Sequence, residues 1–235
     1  MFALTGCQPK TDASKNADTA DIPLIQAKVV AVKIPKQKVC LEDGCTHYDL
    51  QTVETNQQWI DDYFLNRMKK AEPTAFANLK EQPVKIPADQ PSLSESSSYV
   101  RFVGQNYNLA TFAMQSYSYG AGAAHGMSHQ EFVNFDLATK KHITVSALVK
   151  PNMSDKLRDE LYEANQTWLE QHNIKKAQLQ LSDNYYYGAN GIVFVYPLYE
   201  LASYAEGMSE LTLPYYAAKQ FIKAEYLPSL PQEPN

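Results

Sequence analysis

Apolar and polar residues follow two rhythms along this chain, and the rhythms divide it into strands and helices. Alternation, or a short apolar run closed by turn residues, marks a strand. Residues 24–34 (LIQAKVVAVKI) form such a run, stopped by Pro35. Residues 37–53 read as a hairpin, with an Asp43-Gly44 turn signal between VVAVKI and HYDLQTV. A helical rhythm follows. With Asn56 as cap, Trp59, Ile60, Tyr63, Phe64 and Met68 recur at three- and four-residue steps to about Lys70. Residues 81–97 are rich in Pro and Ser and read as a long loop. Strands return at Tyr99–Val103 and Leu109–Tyr119, joined near Gly104-Gln105-Asn106, and at His129–Leu137. A second helix is expected over 153–172, capped by Ser154, with Leu157, Leu161, Tyr162, Trp168 and Leu169 on one face. The chain ends on strands at Tyr185–Tyr187, Ile192–Tyr196 and Glu210–Leu213, then a helix from Tyr215 to about Ala224. The pattern predicts an α+β fold, a mostly antiparallel sheet with two main helices packed on it. The loop at 81–97 divides it into an N-terminal subdomain, 22–80, and a C-terminal domain, 98–226.

The ends of the chain carry a different signal. Leu4-Thr5-Gly6-Cys7 resembles a lipobox, the bacterial lipoprotein signal, in which small residues admit a signal peptidase and the Cys7 thiol accepts the lipid. The polar tract Gln8 to Asp21 then reads as a flexible tether that reaches about 50 Å when stretched. Residues 1–21 are thus expected to be lipobox and tether. The implied location is the bacterial cell envelope, with the membrane engaged through lipid on Cys7. Gln8 after Cys7, rather than Asp, fits the periplasmic face of the outer membrane in a Gram-negative cell. Cys40 and Cys45 flank the expected hairpin turn, close enough for a disulfide, which an oxidising compartment would allow.

Charge and composition narrow the partners. A net charge of -5 supplies no basic excess, which argues against nucleic acid. No apolar run approaches the roughly 20 residues of a membrane-spanning helix. The longest, Gly191 to Tyr199, reads as a core strand. Tyrosine is abundant at 16 residues against 9 Phe and 2 Trp, and its apolar body and polar tip suit wet interfaces as well as cores.

The sequence offers no catalytic residues and implies no cofactor and no metal. It has no nucleophile elbow and no zinc-binding His-Glu-x-x-His. His125 and His129 are the pair from which a metal site or a peptidoglycan-acting hydrolase or deacetylase would have to be built. Three of the nine glycines fall within 120–126. Their spacing, leading into a strand, does not fit a nucleotide loop. It fits a tight sheet connection, or a ligand-facing loop flanked by tyrosines. The candidate ligand-binding surface is therefore Tyr117, Tyr119, Gly122, His125 and Gly126, with Tyr185 and Tyr187 on a strand that should expose at least one ring among Tyr185, Tyr186 and Tyr187.

Three blocks in the C-terminal half carry a family likeness. They are Ala124-His125-Gly126 with Asn134-Phe135-Asp136-Leu137 and Ile143-Thr144-Val145; Gly191 through Glu200; and Tyr204-Ala205-Glu206-Gly207 with Leu211-Thr212-Leu213-Pro214-Tyr215. In order and spacing, residues 99–224 resemble the RsiV-like and PdaC-like family of bacterial extracytoplasmic domains. The resemblance implies an α+β domain that binds something: a protein partner such as lysozyme, or a peptidoglycan fragment. The signalling helix and the deacetylase domain of those relatives have no counterpart here, so their activities do not carry over.

Overall fold

The computed structural model describes residues 22–228 apart from residue 88. Cys7 and the expected tether lie outside the described residues. Strands β1 (Ala27–Ala31), β2 (Lys38–Leu41) and β3 (Gly44–Thr55) open the chain, followed by helices α1 (Gln58–Ala71) and α2 (Pro73–Phe76). Then come β4 (Leu93–Asn106), β5 (Leu109–Tyr119), β6 (Met127–Asp136) and β7 (Lys141–His142). Helices α3 (Val145–Leu148), α4 (Ser154–Ala164) and α5 (Gln166–Gln171) lead to β8 (Tyr185–Tyr187), β9 (Gly191–Tyr196), β10 (Ser209–Pro214) and α6 (Tyr215–Phe221). The fold is α+β, and all strand pairs but one are antiparallel.

The exception organises the molecule. β3 and β4 pair in parallel from Cys45↔Leu93 to Gln51↔Tyr99. Parallel neighbours need a long crossover, and residues 56–92 supply it, laying α1 across the large sheet of order β1-β3-β4-β5-β6-β7. Ile60, Phe64 and Met68 of α1 are fully buried against Val100, Phe112, Val133 and Phe135. Trp59 and Tyr63 meet Phe135 edge-on, each with ring centroids 5.0 Å apart. A buried ring of this kind contributes roughly 2–3 kcal/mol from its apolar area. The helix from one side of residues 81–97 and the strands from the other thus share one core, so the 22–80 segment and the strands from β4 to β7 form one sheet. Of the expected loop, residues 93–97 are already strand.

A second core lies under the small sheet β10-β9-β8, packed by α4 and α6, and its central strand β9 is buried on both faces. Two asparagine amides fasten this unit by imitating strand backbone. Asn184 accepts from Phe132 N at 2.8 Å and donates to Gln130 O at 2.8 Å, which closes the edge of β6. Asn165 accepts from Thr212 N at 3.1 Å and donates to Thr212 O at 3.0 Å. That is why the expected 153–172 helix breaks between α4 and α5: Asn165 turns its side chain to β10. Ser154 makes no side-chain cap there. Asn56 likewise does not cap α1. Its amide holds Gln26 N and Leu24 O, tying the entry to β1.

The hairpin closes as expected, with a Cys40–Cys45 disulfide across a directly opposed pair. Gly44 opens β3 at φ 134°, a conformation natural only to glycine. The β4–β5 turn falls at Tyr107-Asn108 instead of 104–106, which belong to β4.

Candidate functional site

The described residues put most of the expected ligand surface at one end of the large sheet, where β4 begins, β5 ends and β6 begins. Here Ser97, Tyr117 and Ser128 lie opposite one another, as do Glu95 and Tyr119. Strand alternation keeps Tyr117 and Tyr119 on the sheet face away from α1. On that face Tyr99 donates to Asp49 at 2.8 Å, Gln115 donates to Gln130 at 2.5 Å, and Arg101 donates to Gln115. The result is a flat array of tyrosine, amide and serine side chains, half-buried or exposed.

The glycine loop gives this end its shape. Gly122, at φ 79°, turns the chain against Pro91. A Cβ on Gly126 would run into the Tyr117 ring, so glycine there lets the ring lie directly on the backbone. The Gly126 carbonyl accepts from the Tyr204 hydroxyl at 3.2 Å and from His125 Nδ1 at 3.0 Å, which sets the imidazole tautomer. The His125 ring lies 4.6 Å from Tyr204, and Tyr204 lies 5.6 Å from Tyr199. Tyr199 is 58% exposed and sits at φ 70°, a left-handed conformation that costs a non-glycine residue about 1 kcal/mol or more.

Behind Tyr204 the strip is braced. A short 3-10 turn, Tyr204–Glu206, is closed by reciprocal bonds between Ser203 and Glu206. Glu206 also pairs with His172 at 2.7 Å, whose ring stacks on Trp168 at 3.9 Å. His172 Nδ1 faces Trp168 O at 2.8 Å, so both ring nitrogens meet acceptors. The Glu206 bond raises the His172 pKa, and the His172 and Ser203 bonds lower that of Glu206.

Two expected surface tyrosines are elsewhere. Tyr185 is 1% exposed, its hydroxyl bonded to Ile143 O at 2.8 Å and its phenol pushed well up by burial. Tyr187, on the same face of β8, meets Tyr185 edge-on and lines a separate hollow of about 240 Å³ with Gln105, Leu109 and Thr111. The reason is tertiary: the β8 face that carries both rings is covered by the second core. Tyr186, on the opposite face, packs on Phe132 at 4.4 Å and donates to Glu210 at 3.1 Å.

His129 also parts from His125. It lies on the α1 side, in a groove of about 260 Å³ between α1 and the ends of β4, β5 and β6. Arg67 spans this groove to Glu131 with two bonds of 2.7 and 2.6 Å, and Ser96 donates to Glu72 at 2.7 Å. The bidentate bond raises the Arg67 pKa still further. Among the described residues no three His, Cys, Asp or Glu side chains gather closely enough to hold a metal. No helix there is long and apolar enough to cross a membrane.

Sequence alone did not place Tyr199, Arg67 or Ser98 in any site; Glu131 entered only as a possible metal partner of His125 and His129, and it lies instead beside His129, bound by Arg67. Tyr204 stood in one of the resemblance blocks, but its contact with Gly126 joins residues 78 positions apart. No local pattern announces such a contact.

Comparison with known proteins bears on the fold. Residues 146–216, from α3 to the start of α6, match the model of DUF3298, a family described as proteins of unknown function. No curated protein matches the chain. A DUF3298 family protein from Pseudomonas aeruginosa PAO1 superposes with a TM-score of 0.66 at 16% identity, covering 89% of this chain and 99% of that one. A member of the same family from Bacteroides fragilis NCTC 9343 superposes with a TM-score of 0.63 at 13% identity, covering 87% and 96%. At those identities the likeness is one of fold.

Proposed function

We propose that this protein is a lipid-anchored, extracytoplasmic binding protein that captures a protein or cell-wall component on the tyrosine-bearing end of its large sheet. One observation carries the reading. His125, Tyr204 and Tyr199 form an aromatic strip whose Tyr204 bonds to Gly126, the residue on which the Tyr117 ring lies, and the group is partly open to solvent. Rigid aromatic side chains lose little entropy on binding and serve as anchors in interfaces. The flat polar sheet face beside the strip is the surface of a binder more than the cleft of an enzyme. The Cys40–Cys45 bond and the Leu4-Thr5-Gly6-Cys7 motif support an oxidising, envelope location. The family resemblance makes a lysozyme the first protein partner to try.

The test is calorimetric titration of the chain with hen egg-white lysozyme and, separately, with soluble peptidoglycan fragments. A micromolar or tighter Kd for one of them, weakened about tenfold by Tyr204→Ala, is the expected result. Absence of heat from both overturns these partners. Cleavage or deacetylation of the fragments, lost in His125→Ala or His129→Ala, would move the protein to the competing class, an enzyme.

A further inference from the structure

We propose that the groove between α1 and the ends of β4, β5 and β6 is a second binding site, taking a neutral polyhydroxylated small molecule of the sugar class. It lies on the α1 side of the sheet, sharing with the aromatic group only Tyr117 at its edge, and the proposal goes beyond the reading above without depending on it.

The first observation is an unsatisfied group. Ser98 is 4% exposed, lines the groove, and its hydroxyl has no hydrogen-bond partner among the described residues. A buried hydroxyl left unpaired is costly, and such groups in native proteins call for an explanation. A ligand in the groove that draws the Ser98 hydroxyl toward it through a change of rotamer supplies one.

The second observation is the kind of groups left over. Glu131 is taken on both oxygens by Arg67, and Glu72 accepts from Ser96. What faces the groove without a partner is Ser98, Ser116, Ser118 and His129. Each hydroxyl both donates and accepts, as a neutral imidazole does through its two nitrogens. Their complement is a ligand whose own groups both donate and accept, which describes sugar hydroxyls. A carboxylate or phosphate would want donors alone and would meet Glu72. An ammonium would find neither oxygen of Glu131 free, both being taken by Arg67, and only one oxygen of Glu72, which methylammonium tests below. The remaining wall includes Ala71 and the half-buried Met114, whose apolar surface suits the C–H face of a sugar ring. The volume falls just below the roughly 300–1,000 Å³ of pockets for drug-sized ligands, so it suits one small molecule.

The experiment is saturation-transfer NMR on the full chain with glucose, N-acetylglucosamine and mannitol, and with acetate and methylammonium for contrast. Saturation is expected to reach at least one of the three polyols and neither ion. Ser116→Trp, which places a ring at the exposed mouth, should abolish the transfer. Ser98→Ala should raise the Kd about fivefold, the loss of one net hydrogen bond, while its melting temperature does not fall. Transfer to no polyol, preferential transfer to either ion, or polyol transfer that survives both variants would each overturn the proposal. Tyr204→Ala should leave polyol binding unchanged, so failure here leaves the aromatic strip's role untouched, and the reverse.

Discussion

Two pairs of tyrosines, each spaced two residues apart on a strand, have opposite fates. Tyr117 and Tyr119 end β5 on an open sheet face. Tyr185 and Tyr187 make up most of β8 and point into the second core. Local sequence treats the pairs alike, since alternation says only that the two rings of a pair share a face. What distinguishes them is the cover. For Tyr185 it comes from Ile143 and Phe194, which lie on other elements. Over Tyr117 lies only a glycine loop, shaped to leave the ring in place. A residue type that suits both core and interface becomes one or the other through residues far along the chain.

The widest separation of the two pairs should come from truncation. Tyr185→Ala is expected to cost about 3–5 kcal/mol, as removal of a large buried ring does, measured by urea unfolding. Tyr117→Ala should cost under about 1 kcal/mol, because the ring is only half-buried. Equal losses would break the comparison. Glycines sharpen it next. A Cβ at Gly191 would strike the Leu213 backbone across β9 and β10, so Gly191→Ala should cost about 3 kcal/mol. A Cβ at Gly126 meets only the outer end of the Tyr117 ring, which can swing away. Gly126→Ala should therefore lower stability little while weakening partner binding as Tyr117→Ala does. Tyr185→Phe, which keeps the ring and strips the bond to Ile143 O, should cost about 1–2 kcal/mol.

The smallest effect concerns His142, next to that carbonyl. Its ring packs near Tyr63 and Phe135, and burial holds its pKa below the ordinary 6.5. The folded chain therefore binds this proton less readily than the unfolded chain. The resulting stability is fully present above pH 6.5 and is lost as pH falls from 6.5 toward the depressed folded value. His172 runs the other way, its raised pKa favouring the fold at lower pH. Unfolding measured from pH 7.5 to 5 should show a shallower acid loss in His142→Phe than in the parent chain. An unchanged slope would remove His142 from the account.

Much of the fold was legible in the sequence. Period alone located α1, and its buried positions are among those the three- and four-residue steps picked out. The limits of β5 and β8 fell at the expected residues, although the turn before β5 came later than Gly104-Gln105-Asn106. The stapled hairpin followed from two cysteines around an Asp43-Gly44 turn. Five of the seven residues of the expected ligand surface, Tyr117, Tyr119, Gly122, His125 and Gly126, gather at one end of the large sheet, where the strand ends and the glycine loop lie.

Other features were decided only in three dimensions. The Pro- and Ser-rich segment looked like a boundary, yet its last residues, 93–97, pair in parallel with β3 and join β1–β3 to β4–β7 in one sheet. Asn165 and Asn184 look like ordinary loop or helix polar residues until a strand edge arrives for each to close. Tyr204 and Gly126, like Arg67 and Glu131, meet across tens of residues. Periodicity records which side of an element is apolar. It carries no information about which distant element will cover that side, and burial, pairing and the composition of the site all depend on that choice.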